Sequence, residues 1–367
     1  MQTTKVGVVG CGNISGAYLQ ADKKFGILQI VGCADVDMDR AKAQAAQHGI
    51  PKACTVDELI ADPDIEMIVN LTPPHFHAEI ALASLQGGKH AYSEKPFAVT
   101  REDGQKILAM ARDKGLRVGC APDTFMGGGI QTCRKLIDDG WIGRPIGASA
   151  FMLGHGPEAW HPNPFFFYQE GAGPLFDMGP YYLTALVNLL GPIDSVTASA
   201  TISFPERVAG CEEHFGKTIE VSTPTHVNGI MQFVSGAMGT ITTSFDVWAA
   251  DVPCIEIYGS EGTLSVPDPN TFGGPVRIKR GGAEGWTEAP LAFGYSDQSR
   301  GIGAADLAYG LRSGRAHRPA GEMAYHVLDV MHSFYDAWQQ RKYIDLTSQC
   351  GQPAALPLGL LPGTLDE

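Results

Sequence analysis

The chain has 367 residues, of which 40 are acidic and 27 basic, and a formal net charge of −13 at pH 7. At roughly 100–200 residues per domain, this length predicts two domains. Hydrophobic residues make up 44% and charged residues 18% of the chain, which excludes a disordered protein and a disulfide-dependent miniprotein. The acidic balance argues against nucleic acid as a partner, because phosphate backbones attract basic surfaces.

We expect a cytoplasmic protein without membrane spans or metal sites. The apolar runs are shorter than the roughly 18 residues that a span needs, and the first residues lead into an apolar strand without a signal-peptide pattern. The eight cysteines are scattered without a CxxC pair, which is typical of reduced thiols. The spacing of His75 and His77 would suit a metal in a strand, but the pair lies in a proline-rich loop.

The first 120 or so residues alternate between strand and helix patterns. The strand patterns are apolar without alternation, as in a sheet buried on both faces. This order predicts βαβ units and an α/β domain with a doubly wound parallel sheet over residues 1–122. Strand patterns cover 5–10, 28–35, 65–71, 90–93 and 117–120, and helix patterns cover 14–23, 38–48, 56–61, 76–86 and 101–114.

Beyond Pro122 the pattern changes to successive strands. They predict an α+β domain over residues 123–350 with a large, mostly antiparallel open sheet, and the Ser235-Gly236 pair is typical of a hairpin turn. The tail, 351–367, is rich in Pro, Gly and Leu and is expected to wrap the surface of the chain or a neighbouring subunit. Strand patterns cover 146–153, 194–204, 226–234, 237–247, 252–259 and 262–266, and helix patterns cover 127–139 and 321–340.

The turn after the first strand favours dinucleotide binding. Gly10 and Gly12 are the first two glycines of a G-x-G-x-x-G pattern, followed by Asn13 and Ile14, with Ser15 in place of the third glycine. The first glycine permits a tight turn, and the second lets a pyrophosphate approach the N–H groups of the following helix. The alternative is a flavodoxin-like turn that binds no dinucleotide.

Asp35 ends the second strand pattern, 25 residues after Gly10, at the spacing expected of a ribose-binding acid. A carboxylate there repels a 2′-phosphate, so we predict NAD rather than NADP as the cofactor. Asp37 adds a second negative charge and is expected to cap the following helix. Arg40, one helical turn further on, is the nearby cation.

Two further loops follow predicted strands and should border the same crevice, because ligands of open α/β sheets bind at the carboxyl ends of the strands. Thr72, Pro73 and His75 follow the third strand, and His75 could instead cap the next helix. Glu94-Lys95-Pro96 follows the fourth strand. Lys95 could act on a reacting group if a cationic neighbour depressed its pKa, or it could form a surface salt bridge.

These motifs, in this order, resemble the glucose–fructose oxidoreductase, inositol dehydrogenase and rhizopine-catabolism (Gfo/Idh/MocA) family over about residues 5–345. The resemblance rests on residues 6–14, Thr72–His75, Glu94–Pro96 and Gly171–Leu183. It implies a Rossmann domain that binds NAD(P) and a second domain whose open sheet mediates homodimers or homotetramers. It also implies hydride transfer to or from a hydroxyl of a sugar or cyclitol.

The resemblance carries three catalytic positions over to this chain. Lys95 matches the lysine that contacts the substrate hydroxyl and the nicotinamide ribose, and Asp177 matches the family aspartate. Tyr181 stands where the family usually has its catalytic histidine. Because a tyrosine has a reference pKa of about 10, it needs a neighbouring cation to accept a proton, and Lys95 is the candidate. Alternatively, Tyr181 only lines the substrate pocket.

The segment from Gly154 to Tyr168 is rich in aromatic residues and proline. Aromatic faces stack on sugar rings, and imidazole and amide groups bind hydroxyls, so we predict substrate binding here. The alternative is core packing. The candidate substrate residues are His155, Trp160, His161 and Asn163. Arg300, further along the chain, could bind a substrate carboxylate or phosphate, although a structural salt bridge is the expected role.

The sequence therefore predicts an NAD-dependent dehydrogenase of a sugar, glycoside or cyclitol. One alternative is a redox-assisted glycosidase that holds NAD and releases an aglycone without net NADH production. Another is a non-enzymatic NAD-binding regulatory module, although the intact motif at 94–96 and Asp177 favour an enzyme.

Overall fold

The computed structural model describes residues 2–366. The first six strands form one all-parallel sheet in the order β3-β2-β1-β4-β5-β6. The change of direction between β1 and β4 is the point at which ligands bind in doubly wound folds. The predicted parallel α/β sheet is confirmed. Its strands are β1 (Thr4–Val9), β2 (Leu28–Ala34), β3 (Ala53–Cys54), β4 (Met67–Asn70), β5 (His90–Ser93) and β6 (Val118–Cys120).

Six helices connect these strands. Asp37 caps α3, as predicted, because its side chain accepts the backbone N–H groups of Asp39 and Arg40. The single helix expected over 14–23 is wrong, since the chain forms two four-residue helices there. Tight bonds that span three residues, such as Lys23 N–H to the Gln20 oxygen, interrupt the helical ladder. The helices are α1 (Ser15–Tyr18), α2 (Ala21–Lys24), α3 (Met38–His48), α4 (Val56–Ala61), α5 (His77–Gln86) and α6 (Arg101–Lys114).

The second sheet has nine strands in the order β16-β15-β14-β13-β7-β12-β11-β8-β17. Only β7 and β12 pair in parallel within it, so the predicted mostly antiparallel sheet is confirmed. A separate hairpin is formed by β9 and β10. The strands are β7 (Pro145–Leu153), β8 (Ile193–Thr201), β9 (Glu206–Val208), β10 (Thr218–Glu220), β11 (His226–Phe233), β12 (Met238–Ser244), β13 (Ile255–Gly259), β14 (Gly262–Val266), β15 (Val276–Arg280), β16 (Thr287–Ala289) and β17 (Ile344–Asp345).

The later helices join the two sheets into one core. The last of them, α11, packs against β8 as well as α6. Phe334 on this helix lies against Gly229 of β11, where any Cβ atom would come within 2.4 Å of the ring. The helices are α7 (Gly128–Asp138), α8 (Gly173–Asp177), α9 (Gly179–Leu190), α10 (Ile302–Ser313) and α11 (Gly321–Gln340). None of the helices within residues 2–366 combines the length and the apolar character needed to cross a membrane.

The tail from residue 351 packs on the surface of its own chain, one of the two arrangements expected for it. Leu356 and Leu365 are buried. Arg315 forms an ion pair with Asp366 at 2.6 Å, and the Tyr295 hydroxyl donates to the Thr364 carbonyl oxygen at 2.6 Å. The tail is therefore held by both apolar and polar contacts.

Candidate active site

The turn after β1 has the geometry that a pyrophosphate site requires. Gly10 has a φ of +97°, and a Cβ atom there would lie 2.7 Å from the backbone of Leu71. Both the backbone conformation and this close contact therefore exclude a side chain. No heavy atom would lie within 4 Å of a Cβ at Gly12, which leaves open space over the turn. Asn13 and Ile14 follow directly and lead into α1, and Ser15 bonds back to the Gly12 carbonyl oxygen at 2.7 Å.

Asp35 lies beside this turn at the end of β2. Its Oδ2 accepts the Cys11 N–H at 2.8 Å, and its Oδ1 accepts the Asp37 N–H at 2.9 Å. Arg40 reaches both acids, with nitrogen–oxygen distances of 3.4 Å to Asp35 and to Asp37. Because a carboxylate has about four acceptor sites, Asp35 keeps capacity for a further hydroxyl group. The contact between Asp35 and the phosphate turn was not evident from sequence spacing.

The loops after β4 and β5 are tied together by a residue that sequence reasoning missed. His77 is buried, and its ring nitrogens lie 2.7 Å from the Thr72 oxygen and 2.6 Å from the Pro96 oxygen. Burial lowers the pKa of His77, although both carbonyl contacts act in the opposite direction. His75 is exposed and does not cap α5, whose N-cap, Phe76, has no side-chain bond. The capping alternative for His75 is therefore wrong.

Lys95, Asp177 and Tyr181 come together between the two sheets. Lys95 Nζ donates to Asp177 Oδ1 at 2.9 Å and to the Asp177 carbonyl oxygen at 2.6 Å. The same nitrogen lies 5.3 Å from the centre of the Tyr181 ring. Glu94 turns away from this contact and accepts the Tyr18 hydroxyl at 2.7 Å. Tyr18, on α1, thus connects the phosphate helix to the lysine loop, a link without a sequence signal.

A break between two helices creates the Lys95 contact. α8 ends at Asp177 and α9 begins at Gly179, with Pro180 in its first turn. Since a helix end leaves carbonyl groups without partners inside the helix, the Asp177 oxygen is free to accept the lysine. The helix that carries Tyr181 thus begins at Gly179 rather than near Asp177. Asp177 and Tyr181 do not belong to one continuous helix.

The electrostatics of the site differ from expectation. Burial lowers the pKa of Lys95, but the Asp177 carboxylate and Tyr181 raise it more, so the net pKa lies above its usual range. Of the two alternatives for Lys95, the depressed pKa is wrong, because the neighbour of Lys95 is an anion rather than a cation. Burial raises the pKa of Tyr181, while the charge of Lys95 lowers it and the net shift is upward. Lys95 is therefore a cation that donates hydrogen bonds.

The predicted substrate residues lie on a neighbouring lobe that comprises the loop 154–168, β9, β10 and the loop after β12. His155 stacks on Trp248 with ring centres 3.3 Å apart, and its buried Nδ1 has no hydrogen-bond partner. His161 Nδ1 contacts the backbone of Asn163, and Trp160 is 69% exposed. No hydrogen bond or ring contact among residues 2–366 joins these four side chains to Lys95, Asp177 or Tyr181.

Part of the aromatic lobe packs as a core and part of it is exposed. Phe167 and Tyr168 are buried in a small apolar cluster with β9 and β10, so this part packs as a core. Trp160 and Trp248 remain exposed. The lobe touches α8 through the turn that contains Phe165. It therefore adjoins the Asp177 region and can form a wall next to it.

Arg300 is a charged neighbour of the site that the sequence did not place there. Burial is the largest effect on the pKa of both Arg300 and Tyr181, and beyond it Arg300 lowers the pKa of Tyr181 while Tyr181 raises that of Arg300. Its hydrogen bonds go to the side-chain oxygens of Asn270 and Gln298. Arg300 takes part in none of the ion pairs found within residues 2–366. The expected structural salt bridge is therefore wrong, because the partners are neutral amides.

Asp123 lies where the chain leaves the first sheet. Its burial predicts that the stability of the protein depends on pH. Burial raises the pKa of Asp123 to about 6, although the N–H groups of Gly303 and Gly301 lower it. The folded protein therefore holds this proton more tightly than the unfolded chain does. The resulting stability is fully present below about pH 4 and is lost as the pH rises through about 6.

We expect this loss to be on the order of 3 kcal/mol in the free energy of unfolding. Urea denaturation across this pH range, compared between the wild type and Asp123→Asn, measures it. The Asn variant keeps an acceptor for a glycine N–H and lacks the titration. Parallel pH curves for the two proteins would contradict the prediction.

No group of three or more His, Cys, Asp or Glu side chains that could hold a metal ion occurs in the described part of the chain, residues 2–366. His75 and His77 illustrate the reason. One ring is exposed, and the other is held by two carbonyl oxygens in the interior.

Two models of one protein family match most of the chain. Residues 4–121 match the NAD-binding Rossmann fold of the GFO/IDH/MocA oxidoreductase family, and residues 130–265 match the C-terminal domain of that family. 1,5-Anhydro-D-fructose reductase of Ensifer adhaerens is 26% identical over 292 residues, which are 78% of this chain and 82% of that protein. Levoglucosan dehydrogenase of Pseudarthrobacter phenanthrenivorans is 26% identical over 296 residues, 72% of this chain and 73% of that protein.

Solved structures share the fold. A levoglucosan dehydrogenase in complex with NADH and L-sorbose aligns with a TM-score of 0.81 over 95% of this chain and 100% of that chain, at 22% identity. The two family matches include the phosphate turn, Lys95 and the segment that carries Asp177 and Tyr181. The chain belongs to the Gfo/Idh/MocA family of NAD-binding oxidoreductases.

Proposed function

We propose that this protein is an NAD-dependent dehydrogenase that transfers a hydride between nicotinamide and a secondary hydroxyl or ketone of a sugar, glycoside or cyclitol. The observation that carries the proposal is the contact of Lys95 Nζ with Asp177, next to the Tyr181 ring. This cluster follows β5 on the ligand side of the parallel sheet, where a nicotinamide would lie. The names of the two relatives, a sugar reductase and a sugar dehydrogenase, support the substrate class.

The residues around the phosphate turn fit NAD. The open space over Gly12, the spare acceptor capacity of Asp35 and the N–H groups at the start of α1 suit the pyrophosphate and the adenosine ribose. Thr72, Pro73, His75, Glu94 and Lys95 would border the nicotinamide half. NAD, when bound, supplies the carbon that accepts or returns the hydride. The carboxylate of Asp35 disfavours a 2′-phosphate, and this supports NAD over NADP.

Three side chains of this protein would have separate roles in the reaction: Lys95, Asp177 and Tyr181. Lys95 stays charged, so it donates a hydrogen bond to the substrate oxygen and stabilises its developing alkoxide charge. Asp177 holds the lysine in place through two contacts. Tyr181, in its ionised form next to Lys95, would take the alcohol proton during oxidation, and the phenol would return it during reduction. This assigns proton transfer to the tyrosine and charge stabilisation to the lysine.

The aromatic lobe would bind the remainder of the substrate. The exposed face of Trp160 suits a sugar ring, and His161 and Asn163 offer groups for hydroxyls. The buried, unpartnered Nδ1 of His155 is a further candidate contact. These four residues would contact a substrate that is large enough to reach from Lys95 to the lobe.

We also propose a cytoplasmic homodimer or homotetramer built on the large sheet. Residues of β11 alternate between buried and exposed positions, so one face of the sheet is open, with Ile230 41% exposed. An open sheet face of this size is covered by a partner in many oligomers. The proposed division of the chain is a cofactor domain over residues 1–122, a substrate and oligomerisation domain over residues 123–350 and a tail over residues 351–367. We propose no nucleic acid or membrane partner.

The function is tested by following NADH absorbance with NAD or NADP and a panel of sugars, glycosides and inositols. Turnover of one sugar or cyclitol with NAD would support the proposal and name the substrate class. If no compound of the panel is turned over but NADH is bound to the purified protein, the redox-assisted glycosidase would be favoured instead. Aglycone release would then be assayed. If no compound is turned over and the purified protein holds no nucleotide, the cofactor assignment is overturned.

Asp35→Asn tests the cofactor preference. We expect the Kd for NADH to rise about tenfold, because a charge-assisted bond to the ribose becomes a neutral one. The Kd for NADPH should change less, since the repulsion of its 2′-phosphate is relieved. Quenching of protein fluorescence by each nucleotide measures both constants. Asp39→Asn, on the exposed side of α3, serves as the control. An unchanged Kd for NADH in Asp35→Asn would remove Asp35 from the cofactor site.

A further inference from the structure

A cleft apart from the active site opens between α2, the loop that connects β16 to α10, and the C-terminal tail. Its volume is about 580 Å³, within the range of roughly 300–1,000 Å³ that small-molecule sites occupy. The wall consists of residues 23–24, 292–297, 356–357 and 359–363. None of these residues belongs to the phosphate turn, the cluster around Lys95 or the aromatic lobe, so the cleft is separate from the proposed cofactor and substrate sites.

The tail supplies most of the apolar wall of this cleft. Leu356 is buried and anchors the tail, whereas Leu361 is 72% exposed. Leu360 and, from the opposite loop, Phe293 are partly buried against the main core. A hydrocarbon or aromatic group in the cleft would cover the exposed parts of these side chains, and removing such surface from water is favourable.

Tyr295 has an unusual backbone conformation in the same wall. Its φ is +60°, a left-handed conformation that bulky residues rarely adopt. The Tyr295 carbonyl oxygen accepts the Gly128 N–H at 3.2 Å, its hydroxyl donates to the Thr364 carbonyl oxygen, and its ring centre lies 5.7 Å from that of Phe25. Strained residues that the surrounding structure holds in this way are concentrated at functional sites such as ligand sites.

Lys24 provides a hydrogen-bond donor at the polar end of the cleft. Its Nζ donates to the Gln298 carbonyl oxygen at 3.0 Å and to Ser299 Oγ at 2.6 Å, and both acceptors are neutral. The same nitrogen lies 5.8 Å from the centre of the Tyr295 ring. Since an ammonium group has three N–H donors, one of them remains for a ligand.

The charges in the wall favour an anion. The charged side chains that line the cleft are Lys23, Lys24 and Asp297, so two positive charges and one negative charge leave a net charge of +1. Neither lysine takes part in an ion pair within residues 2–366. The cleft is thus locally positive in a chain whose net charge is −13. Asp297 disfavours a second negative charge on the ligand, which points to a monoanion.

We propose that this cleft binds a small organic monoanion, a carboxylate with an apolar body, whose carboxylate accepts a hydrogen bond from Lys24 and whose body covers Tyr295 and the leucines of the tail. The bond to the ammonium group is charge-assisted on both sides, and the apolar wall adds hydrophobic contact. The inference goes beyond the proposed function and does not depend on it, because no residue of the wall has a role in hydride or proton transfer.

The first test measures which charge the cleft selects. Octanoate, the neutral octan-1-ol and the cationic octylammonium are titrated into the full chain by isothermal titration calorimetry. We expect octanoate to bind about tenfold more tightly than octan-1-ol, and octylammonium to bind more weakly than either. Equal Kd values for octanoate and octan-1-ol, or no binding of octanoate, would overturn the proposal.

Lys24→Gln tests the donor. The Kd for octanoate should rise about tenfold and the Kd for octan-1-ol should stay within about twofold, so the preference for the anion disappears. Lys42→Gln, which removes an exposed lysine of α3, is the matched control and should leave both constants unchanged. If Lys24→Gln weakened both ligands equally, the lysine would act on the shape of the cleft and not on the carboxylate, which would contradict the proposal.

A second pair of variants locates the site. Leu360→Glu places a negative charge in the apolar wall and should raise the Kd for octanoate more than about tenfold. Leu358→Glu changes an exposed leucine of the same tail that is not part of the wall, and the Kd should stay within about twofold of the wild-type value. Equal effects of the two substitutions would place octanoate outside the cleft.

Saturating NADH separates this cleft from the cofactor site. We expect the Kd for octanoate to stay within about twofold when NADH is present, because the two sites share no wall residue. Displacement of octanoate by NADH would place the anion in the cofactor site and overturn the proposal. Failure of the proposed function looks different, since a protein that oxidises no sugar, glycoside or cyclitol would still show the binding of octanoate and its loss in Lys24→Gln.

Discussion

Lys95→Ala is expected to reduce kcat/KM by about a thousandfold or more while leaving the Kd for NADH within about threefold of the wild-type value. The substitution removes the cation that contacts Asp177 and faces the substrate oxygen, so the developing alkoxide charge loses its stabilising partner. Steady-state kinetics with the substrate found in the panel, and quenching of protein fluorescence by NADH, measure the two quantities.

Lys106→Ala is the matched control for this experiment. Lys106 is an exposed lysine of α6 that pairs with Asp103 at 2.9 Å, and its loss should change neither kcat/KM nor the Kd for NADH. If Lys95→Ala lost NADH affinity and retained the turnover of bound cofactor, Lys95 would belong to cofactor binding rather than to the chemical step.

Arg207→Leu should lower the free energy of unfolding by about 3–5 kcal/mol, the range for the loss of one partner from a buried ionic group. The Arg207 side chain is 5% exposed and lies between Glu158, at 2.7 Å, and Asp246. It also donates to the His155 carbonyl oxygen at 3.1 Å. Without it, two carboxylates remain buried without their cation, in the lobe that carries the predicted substrate residues. Urea denaturation measures the loss.

Two companion variants separate charge from packing in this cluster. Arg280→Leu, which breaks an exposed ion pair of β15, should cost no more than about 1 kcal/mol. Adding Glu158→Gln and Asp246→Asn to Arg207→Leu should restore part of the lost stability, since the unpaired charges are then gone. If the triple variant were less stable than Arg207→Leu, the loss would come from packing.

The same variant tests the role of the lobe in substrate binding. Limited proteolysis of Arg207→Leu should cleave within residues 154–168 first, since that loop loses its anchor. The KM for the sugar should rise, and the Kd for NADH should stay unchanged, because the lobe lies apart from the parallel sheet. A lobe that is cleaved faster without any rise in KM would remove His155, Trp160, His161 and Asn163 from the substrate site.

The parallel sheet, the phosphate turn and the hairpin at Ser235-Gly236 followed from the sequence because local patterns determine them. Uninterrupted apolar runs are typical of strands that are buried on both faces. Gly10 is needed for a positive φ and a close approach to Leu71, and such needs are visible as residue types at fixed spacing. The position of Lys95 after β5 followed in the same way, since strand ends meet at one edge of a parallel sheet.

The contacts inside the site depended on the tertiary structure. Lys95 and Asp177 are 82 residues apart, and Arg300 is further still from both along the chain. The family resemblance, rather than any spacing, linked the first two, and nothing in the sequence linked Arg300 to Tyr181. The sequence also left the direction of the pKa shift of Lys95 open, because that shift depends on which charge packs beside the amine and how deeply both are buried.

The sequence by itself determined the alternation of strands and helices in the first domain and the turn that suits a dinucleotide, because these depend on hydropathy and backbone conformation over short stretches. The family followed from the resemblance of four motifs. Only the tertiary structure decided that Lys95 is bonded to Asp177, that His77 joins two loops, and that the aromatic lobe is anchored by Arg207. Those features depend on side chains from separate segments meeting in a low-dielectric interior, where the identity of the nearest charge determines the chemistry.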